Sequence, residues 1–373
     1  MFQFADVNKD FHKCVFVVDT VTTAFICSII ADGCPVDLIL ERKRGIDNDD
    51  AYQALKAFIG CCINVERLTE ITVDPPYFIA AYDLKKIKGL KRQIKPYLKQ
   101  YDKGYTYIGP STSTFMNALH GNGENIIYMY HGSGDYWKRE DGSLVSGSMF
   151  KLVMKHLIIG LILDMPNSRW NCFWPKRAYS LCKLDDRDII WLDYKRFKSD
   201  IIEQKLTDIF QFDDGMRNVF YCPYAGLLSS NGIGEDTTIY DDLNIRLIER
   251  HIDKRNERLF IKYHPRMYRT NHVIKSDLVD KLRDIGYEAY DIGAMIPKSI
   301  GGASTPLEVI FRYCGLTKLV AMDNSSIWNL SEDHDICKIM DYRDAIEGEY
   351  ERLSEQTPHI TKKIDCQSIK IYG

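Results

Sequence analysis

Short continuous apolar runs recur along the first part of the chain, and polar segments separate them. The runs are CVFVVDT at 14–20, VDLILE at 36–41, YTYIGPST at 105–112 and NIIYMYHG at 125–132. Uninterrupted apolar runs are typical of parallel strands that are buried on both faces, whereas strands with one wet face alternate. We therefore predict strands that alternate with helices, and a first α/β domain over residues 1–165.

Strand and helix patterns alternate again in the later part of the chain. They lie at 218–225, 237–256, 258–265, 277–290, 306–315 and 316–326. This order predicts a second α/β domain with a doubly wound parallel sheet over 216–340. We expect residues 166–215 to connect the two domains and residues 341–373 to form a tail that crosses back to the first domain.

The length and composition favour two globular domains. The chain has 373 residues, whereas one domain usually has about 100–200. Its 45% hydrophobic and 27% charged residues exclude a disordered chain. The net charge of −3 gives no overall attraction to nucleic acid, so we expect no nucleic-acid partner and a local site for any anionic ligand.

The cysteines and the apolar segments indicate a cytoplasmic protein. The 11 cysteines include no Cys-x-x-Cys pair and mostly lie in apolar runs, which favours buried thiols in a reducing compartment over disulfides or a zinc site. The N-terminus lacks the pattern of a signal peptide. The longest apolar run, at 157–165, has about half the length needed to span a bilayer.

A basic, amphipathic pattern covers residues 84–100. It combines lysines and Arg92 with an apolar stripe that includes Leu84, Ile87 and Ile94. A solvated helix face is the simpler interpretation. The alternative is a surface for anionic lipid or a polyanionic acceptor, which would place the protein peripherally at the inner face of the cell membrane.

Three polar loops follow predicted strands, which is where open α/β sheets bind ligands. The loops are HGSGD at 131–135, YHPR at 263–266 and DNSS at 323–326. In the first loop, Gly132 and Gly134 allow the backbone to approach a ligand closely. His131 and Asp135 are each candidates for a general base. A tight turn with a satisfied polar pair is the alternative.

The second loop holds a histidine before a proline. Pro265 disfavours the α region for His264, so the imidazole is expected at the strand end in extended backbone. Histidine titrates near neutral pH, which suits a phosphate partner or a general acid, and Arg266 adds a second cation. The alternative is a structural histidine before a turn.

The third loop and the helix before it offer further ligand-binding groups. Ser325 and Ser326 provide hydroxyl and backbone N–H groups before a predicted helix, where phosphate binds, although simple helix capping is the alternative. Glu308 lies one turn into a helix after Pro306 and is placed to accept hydrogen bonds from ribose, or merely to complement the helix dipole. The acidic runs at 185–188 and 213–215 are more simply solvated turns.

In order and spacing, YHGSGDY, KYHPR, PLEV and DNSS resemble the motifs of bacterial sialyltransferases of the polysialyltransferase and lipooligosaccharide sialyltransferase type. The segment GPSTSTFMNAL before the first loop adds to the resemblance, which spans roughly residues 105–330. It implies an α/β protein of the GT-B class, with two facing Rossmann-like domains, parallel sheets, and a CMP-sugar bound chiefly by the C-terminal domain.

The resemblance also implies roles for individual residues. His131, Asp135 and His264 form the catalytic set, in which His264 contacts the CMP phosphate and assists its departure. The donor-binding residues are Gly132, Gly134, Pro265, Arg266, Glu308, Ser325 and Ser326. The implied reaction is inverting transfer of sialic acid from CMP-sialic acid to a hydroxyl of a cell-surface glycan, in capsule or lipooligosaccharide, without a metal or other cofactor.

One departure from the family pattern keeps alternatives open. His131 stands where those families carry an acidic residue, so the general base is either His131 or Asp135. CMP-Kdo or another activated sugar is an alternative donor, and a non-catalytic nucleotide-sugar-binding or assembly protein is an alternative of another class. The chain contains no G-x-S-x-G sequence, which argues against a hydrolase in which the HGSG loop forms an oxyanion hole.

Overall fold

A computed structural model gives the structure of the protein. It describes residues 14–43, 49–73, 105–110, 126–130, 178–181, 189–212, 215–223, 238–265, 276–314, 318–321 and 337–339, together with positions 92, 96, 113, 115, 116 and 330. These residues form two compact units, Met1–Ser199 and Asp200–Gly373, which we call the first and the second unit.

The first unit contains a parallel sheet of seven strands. They are β1 (Cys14–Val18), β2 (Val36–Lys43), β3 (Val65–Val73), β4 (Thr106–Pro110), β5 (Ile126–Tyr130), β6 (Ala178–Ser180) and β7 (Ile189–Trp191). Their order is β3-β2-β1-β4-β5-β6-β7, so the direction in which strands are added reverses between β1 and β4. This is the order of a Rossmann-like sheet.

Two described helices cover the early strands of the first unit, α1 (Val21–Ala31) and α2 (Asp49–Cys62). Thr20 caps the start of α1 in a capping box with Thr23, and α1 ends at Asp32, which has a left-handed φ of 45°. The ring of Phe197 lies 5.1 Å from that of Phe25 on α1 and 6.1 Å from that of Phe58 on α2. One aromatic side chain from the end of the unit therefore joins both helices.

The second unit contains a parallel sheet of five strands. They are β8 (Arg217–Cys222), β9 (Glu257–Ile261), β10 (Ala289–Asp291), β11 (Lys318–Ala321) and β12 (Cys337–Ile339), in the order β10-β9-β8-β11-β12. Its described helices are α3 (Asp200–Phe210), α4 (Thr238–His251), α5 (Leu278–Asp284), α6 (Ile292–Met295) and α7 (Leu307–Tyr313). Phe260 lies at the centre of the core, with ring centroids of Phe210, Phe220 and Tyr290 at 5.0, 5.3 and 5.6 Å.

The sequence-based prediction of an α/β protein with two Rossmann-like domains and parallel sheets is confirmed. The prediction that residues 166–215 only connect the two domains differs from the structure. This segment holds β6 and β7 of the first sheet and α3 of the second unit. Strands of three residues carry too little periodicity to stand out in a segment rich in Trp, Asp and Lys. The predicted tail at 341–373 lies outside the described residues.

Two further findings concern membranes and thiols. Within the described ranges, every helix is too short or too polar to cross a membrane. No disulfide joins the cysteines whose side chains the structure describes, among them Cys27, Cys61 and Cys62.

Gly109 is a test of how tightly β4 packs beside β1. A Cβ atom at this position would lie 2.8 Å from Cβ of Val17 and 2.9 Å from Sδ of Met116. We expect Gly109→Ala to lower the free energy of unfolding by about 1–3 kcal/mol, because overpacking of a dense core forces its neighbours to move. Urea unfolding measures the change.

Gly60→Ala is the matched control for this substitution. Gly60 lies on the exposed side of α2, where a new Cβ meets nothing within 4 Å. It should leave stability unchanged or raise it by up to about 1 kcal/mol, because alanine favours helix more than glycine does. Equal effects of the two substitutions would contradict the packing that we describe around Gly109.

Candidate functional site

The carboxyl ends of the strands lie at one edge of each sheet, because all strands within a sheet are parallel. In the first unit, polar side chains gather where β1, β2 and β4 end. In the second unit, they gather where β8 and β9 end and where α7 begins. These two edges are the candidate sites, and each is described separately.

Strand β2 extends past the end of β1 in the first unit. Val18, the last residue of β1, pairs with Leu40, so Glu41 and Lys43 lie beyond the β1–β2 ladder. Glu41 is fully buried, and its Oε2 accepts hydrogen bonds from the hydroxyl of Ser113 at 2.6 Å and from the backbone N–H of Phe115 at 2.9 Å. The carboxyl group of Glu41 on β2 thus fixes the segment that follows β4.

Lys43 forms an ion pair with Asp19, which directly follows β1. Both side chains are buried, at 9% exposure for Lys43 and 0% for Asp19. The backbone N–H of Asp19 donates to Oγ1 of Thr23 in α1 at 3.1 Å. Together with Glu41 and Ser113, these residues form what we call the first-unit cluster, namely Asp19, Thr23, Glu41, Lys43 and Ser113.

Burial controls the electrostatics of the first-unit cluster. Removal from water raises the pKa of Glu41, and the nearby Asp19 carboxylate raises it further. Lys43 and the hydrogen bonds from Ser113 and Phe115 act in the opposite direction, but burial is the largest effect. The cluster therefore contains one ion pair and one carboxyl group that resists ionisation, and it carries little net positive charge for an anion.

In the second unit, His264 follows β9 and is exposed. The two residues before it are buried and bonded to different elements. Lys262 Nζ donates to the backbone oxygen of Ala303, and the Tyr263 hydroxyl lies 3.5 Å from Oγ of Ser276. An exposed imidazole thus follows two buried side chains that fix the backbone leading to it.

The Tyr263 hydroxyl leads into a partly buried chain of polar side chains. Ser276 Oγ donates to Oδ1 of Asp241 at 2.7 Å, and Lys281 Nζ donates to Oδ2 of the same carboxylate at 3.0 Å. Asp241 on α4 is fully buried. Burial raises the pKa of Tyr263, so its hydroxyl stays protonated throughout the physiological range.

The Lys262 side chain bonds to the segment that leads to α7. Burial lowers the pKa of Lys262 to about 8, although Cys222, Asp291 and Glu308 act to raise it. Glu308, in the first turn of α7, is only 3% exposed. Lys262 therefore lies within the electrostatic reach of the carboxylate that the sequence predicts as ribose-binding.

The segment 297–305 before α7 is wound tightly by its own backbone. Gly301 and Gly302 adopt left-handed φ values of 104° and 56°, which glycine allows without strain. The N–H of Thr305 donates to the oxygen of Gly302 at 3.1 Å, and its hydroxyl donates to the oxygen of Ile300 at 2.9 Å. The two glycines hence build a compact turn, and Lys262 bonds to its Ala303 carbonyl.

Three of the predicted site residues lie in the described ranges. His264 is exposed, Pro265 is partly exposed and Glu308 is buried. The others lie outside the described residues: His131, Gly132, Gly134, Asp135, Arg266, Ser325 and Ser326. Of the basic segment 84–100, only positions 92 and 96 are described, and both are helical and exposed. The roles of all these residues stay predictions.

Sequence reasoning missed the buried charged residues of both edges, chiefly Asp19, Glu41, Lys43 and Lys262. Asp19, Glu41 and Lys262 each end or directly follow an apolar run, and Lys43 lies two residues further on, at the end of β2; a charged residue in such a place is the signal that points to the edge of a parallel sheet. Among the described residues, no group of three or more His, Cys, Asp or Glu side chains is arranged to hold a metal ion.

The protein thus consists of two Rossmann-like units, and each unit has a cluster of polar side chains at the carboxyl ends of its parallel strands. No protein-family profile matches the chain, and no curated protein matches it in sequence.

The solved structures that match share little sequence with this chain and have low TM-scores, although each match covers most of it. A structure of the wall teichoic acid polymerase TagF soaked with CDPG has 12% identity and a TM-score of 0.41, over 90% of this chain and 71% of that chain. A second TagF structure has 10% identity and a TM-score of 0.38, over 99% and 86%. E. coli ADP-heptose LPS heptosyltransferase II has 9% identity and a TM-score of 0.34, over 95% and 99%.

The raised pKa of Glu41 predicts a specific dependence of stability on pH. The folded protein retains a proton that the unfolded chain releases above its usual pKa of 4.5. This stabilisation is complete below pH 4.5 and is lost as the pH rises through the folded pKa. Glu41→Gln does not ionise, so wild type should lose stability relative to this variant as the pH increases, as measured by urea unfolding at several pH values.

Comparison of Glu41→Ala with Glu41→Gln separates the effect of the hydrogen bonds on stability from the effect of ionisation. It leaves the buried donors Ser113 Oγ and Phe115 N–H without their acceptor, which costs about 1–3 kcal/mol for each unsatisfied group. We expect this variant to be much less stable than Glu41→Gln at every pH. A constant stability difference between wild type and Glu41→Gln from pH 4 to 8 would refute the burial effect.

Proposed function

We propose that the protein is an inverting glycosyltransferase of the GT-B class that transfers sialic acid from CMP-sialic acid to a hydroxyl of a cell-surface glycan. The position of His264 carries this proposal. The side chain is exposed at the carboxyl end of β9, next to β8, and the direction of strand addition in this sheet reverses between β8 and β11. Open α/β sheets bind nucleotides beside such a reversal.

Glu308 supports a nucleotide at the same edge. It lies at the start of α7, the helix that leads into β11, and β11 pairs with β8 on the side opposite β9. His264 and Glu308 thus come from the elements on either side of β8. In our proposal His264 binds the donor phosphate and Glu308 accepts hydrogen bonds from the ribose, while Ser325 and Ser326 bind the phosphate as well.

The proposed reaction exchanges one bond at the anomeric carbon. The acceptor oxygen forms a bond to this carbon from one side, and the bond to the CMP phosphate oxygen breaks on the other, which inverts the configuration. The acceptor proton goes to His131 or Asp135. CMP leaves with the bonding electron pair, and His264 stabilises or protonates its phosphate. In this proposal no metal ion or other cofactor takes part.

Two alternative functions would use the same nucleotide site, one with another donor sugar and one without catalysis. CMP-Kdo or another activated sugar would use the same phosphate and ribose contacts. A non-catalytic nucleotide-sugar-binding or assembly protein would bind CMP without turnover. In our proposal the basic segment 84–100 is the surface for a polyanionic or membrane-associated acceptor, with the protein peripheral at the inner face of the cell membrane; a solvated helix face is the simpler alternative for this segment.

A donor assay tests the proposal. Wild type is incubated with CMP-Neu5Ac and EDTA, with lactose or oligosialic acid as acceptor, and CMP release and glycan products are measured. We expect transfer by wild type, and a decrease in kcat of about 10²–10⁴ for His264→Ala, because a positioned acid or base contributes about that factor.

His251→Ala is the matched histidine control. His251 ends α4, and its backbone oxygen accepts a hydrogen bond from Lys318, the first residue of β11, so it lies at the opposite edge of the sheet from His264. It should retain wild-type activity. If wild type neither transfers sialic acid nor hydrolyses CMP-Neu5Ac, the sialyltransferase assignment fails. CMP binding without turnover of any CMP-sugar would support the non-catalytic alternative.

A second pair of variants decides between the two candidates for the base. The variant that removes the base should lose about 10²–10⁴ in kcat, whereas the other should affect mainly the KM for the acceptor. We therefore compare His131→Ala with Asp135→Ala at saturating CMP-Neu5Ac and varied acceptor. Full activity of both variants would place the base outside the HGSGD loop.

A further inference from the structure

Lys262 is a buried charged residue that the proposed reaction does not use. It follows β9, is 7% exposed, and lies two residues before His264. Its backbone N–H donates to the oxygen of Tyr221 in β8 at 2.9 Å, which extends the pairing of the two strands by one bond. The stem of Lys262 is therefore fixed by the sheet, and its ammonium group is directed into the unit.

The ammonium group connects three parts of the same edge. It donates to the Ala303 carbonyl in the tight turn 297–305. Its electrostatic neighbours are Cys222 at the end of β8, Asp291 at the end of β10 and Glu308 on α7, of which Cys222 has the largest effect and Glu308 the smallest. The Asp291 carboxylate already accepts from the N–H of Gly293 at 2.8 Å, as the cap of α6. The hydrogen bond to the turn is thus the direct contact on which a role of Lys262 is argued, and Glu308 starts the helix that this turn leads into.

A buried ammonium group is costly unless it is hydrogen-bonded and has opposite charge nearby. Methionine has similar length and would fill the same space without this cost, so packing alone does not explain a lysine here. The turn contains two residues with left-handed φ, and it sets where α7, and with it Glu308, begins. A lysine that bonds this turn therefore fixes the start of α7, and with it Glu308, relative to the end of β9 that leads to His264.

We propose that Lys262 is a positioning residue of the donor site, which holds the turn 297–305 and the Glu308 carboxylate in the arrangement that binds the ribose of the donor nucleotide. This inference rests on the proposed function, since it assumes a ribonucleotide at this edge. Lys262 itself does not touch the nucleotide. Its effect should therefore appear in how well the site recognises ribose.

Ribose recognition is measured with CMP and 2′-deoxycytidine monophosphate, by titration calorimetry on the whole protein at pH 7.0. Wild type should bind CMP at least about tenfold more tightly than the deoxynucleotide, because the latter leaves Glu308 without a hydroxyl partner. Lys262→Met and Glu308→Gln should each reduce this ratio toward one. The double variant should show no further reduction, because the two residues act as one unit.

Lys205→Met is the matched control. Its Nζ donates to Oγ of Ser299 at 2.8 Å, so it also removes a lysine hydrogen bond to the turn 297–305, but from the exposed side. It should keep the wild-type ratio. Lys262→Arg retains the charge and the donors and should recover part of the ratio. Thermal unfolding of every variant shows whether the protein is still folded.

The outcomes separate this inference from the proposed function. If wild type binds neither nucleotide, the proposed function fails. If wild type binds CMP and Lys262→Met keeps the full ratio while folded, only the role of Lys262 is refuted. If Lys262→Met does not fold, Lys262→Gln takes its place, since it removes the charge and shortens the side chain: a folded Lys262→Gln variant with the full wild-type ratio would refute the role of Lys262.

Discussion

Parallel strand pairing is the constraint on which both candidate sites depend. It brings every strand of a sheet to the same edge with its carboxyl end, so residues far apart in the chain meet without any local signal. Glu41 and Ser113 are one such pair, and Lys262 and Ala303 are another. The apolar runs between these residues build the sheets, and the polar residues that follow each run become the sites.

The two units each bury a lysine at the end of an equivalent strand, but the two lysines have different partners. Strands β2 and β9 occupy equivalent places, each next to the first strand of its sheet, and each ends at or before a buried lysine. Lys43 forms an ion pair with the carboxylate of Asp19 in the same unit. Lys262 instead bonds to a backbone carbonyl and leaves the neighbouring His264 exposed. The second unit thus presents an exposed titratable side chain, His264, at its edge.

The sequence predicts those parts of the molecule that are set by local pattern. Continuous apolar runs locate β1, β2, β4, β5, β8, β9 and β11, and the His-Pro pair predicts His264 at a strand end. Strands β6 and β7 are too short to give a pattern. The first-unit cluster and the bond from Lys262 to Ala303 depend on tertiary contacts, and a charged residue at the end of an apolar run gives no hint of its partner. The catalytic and phosphate-binding roles remain predictions from the resemblance.

The extension of β2 beyond β1 also constrains how the first unit folds. Glu41 and Ser113 are 72 residues apart in sequence, and the Lys43–Asp19 pair spans only 24. Closure of a long loop costs more entropy than closure of a short one, and contacts of high sequence separation slow folding. The β1–α1–β2 part is therefore able to pair its charges early, during synthesis, while Glu41 waits for the segment after β4. Until that segment arrives, the growing chain exposes an unfinished strand edge, which is the kind of surface on which chaperones act.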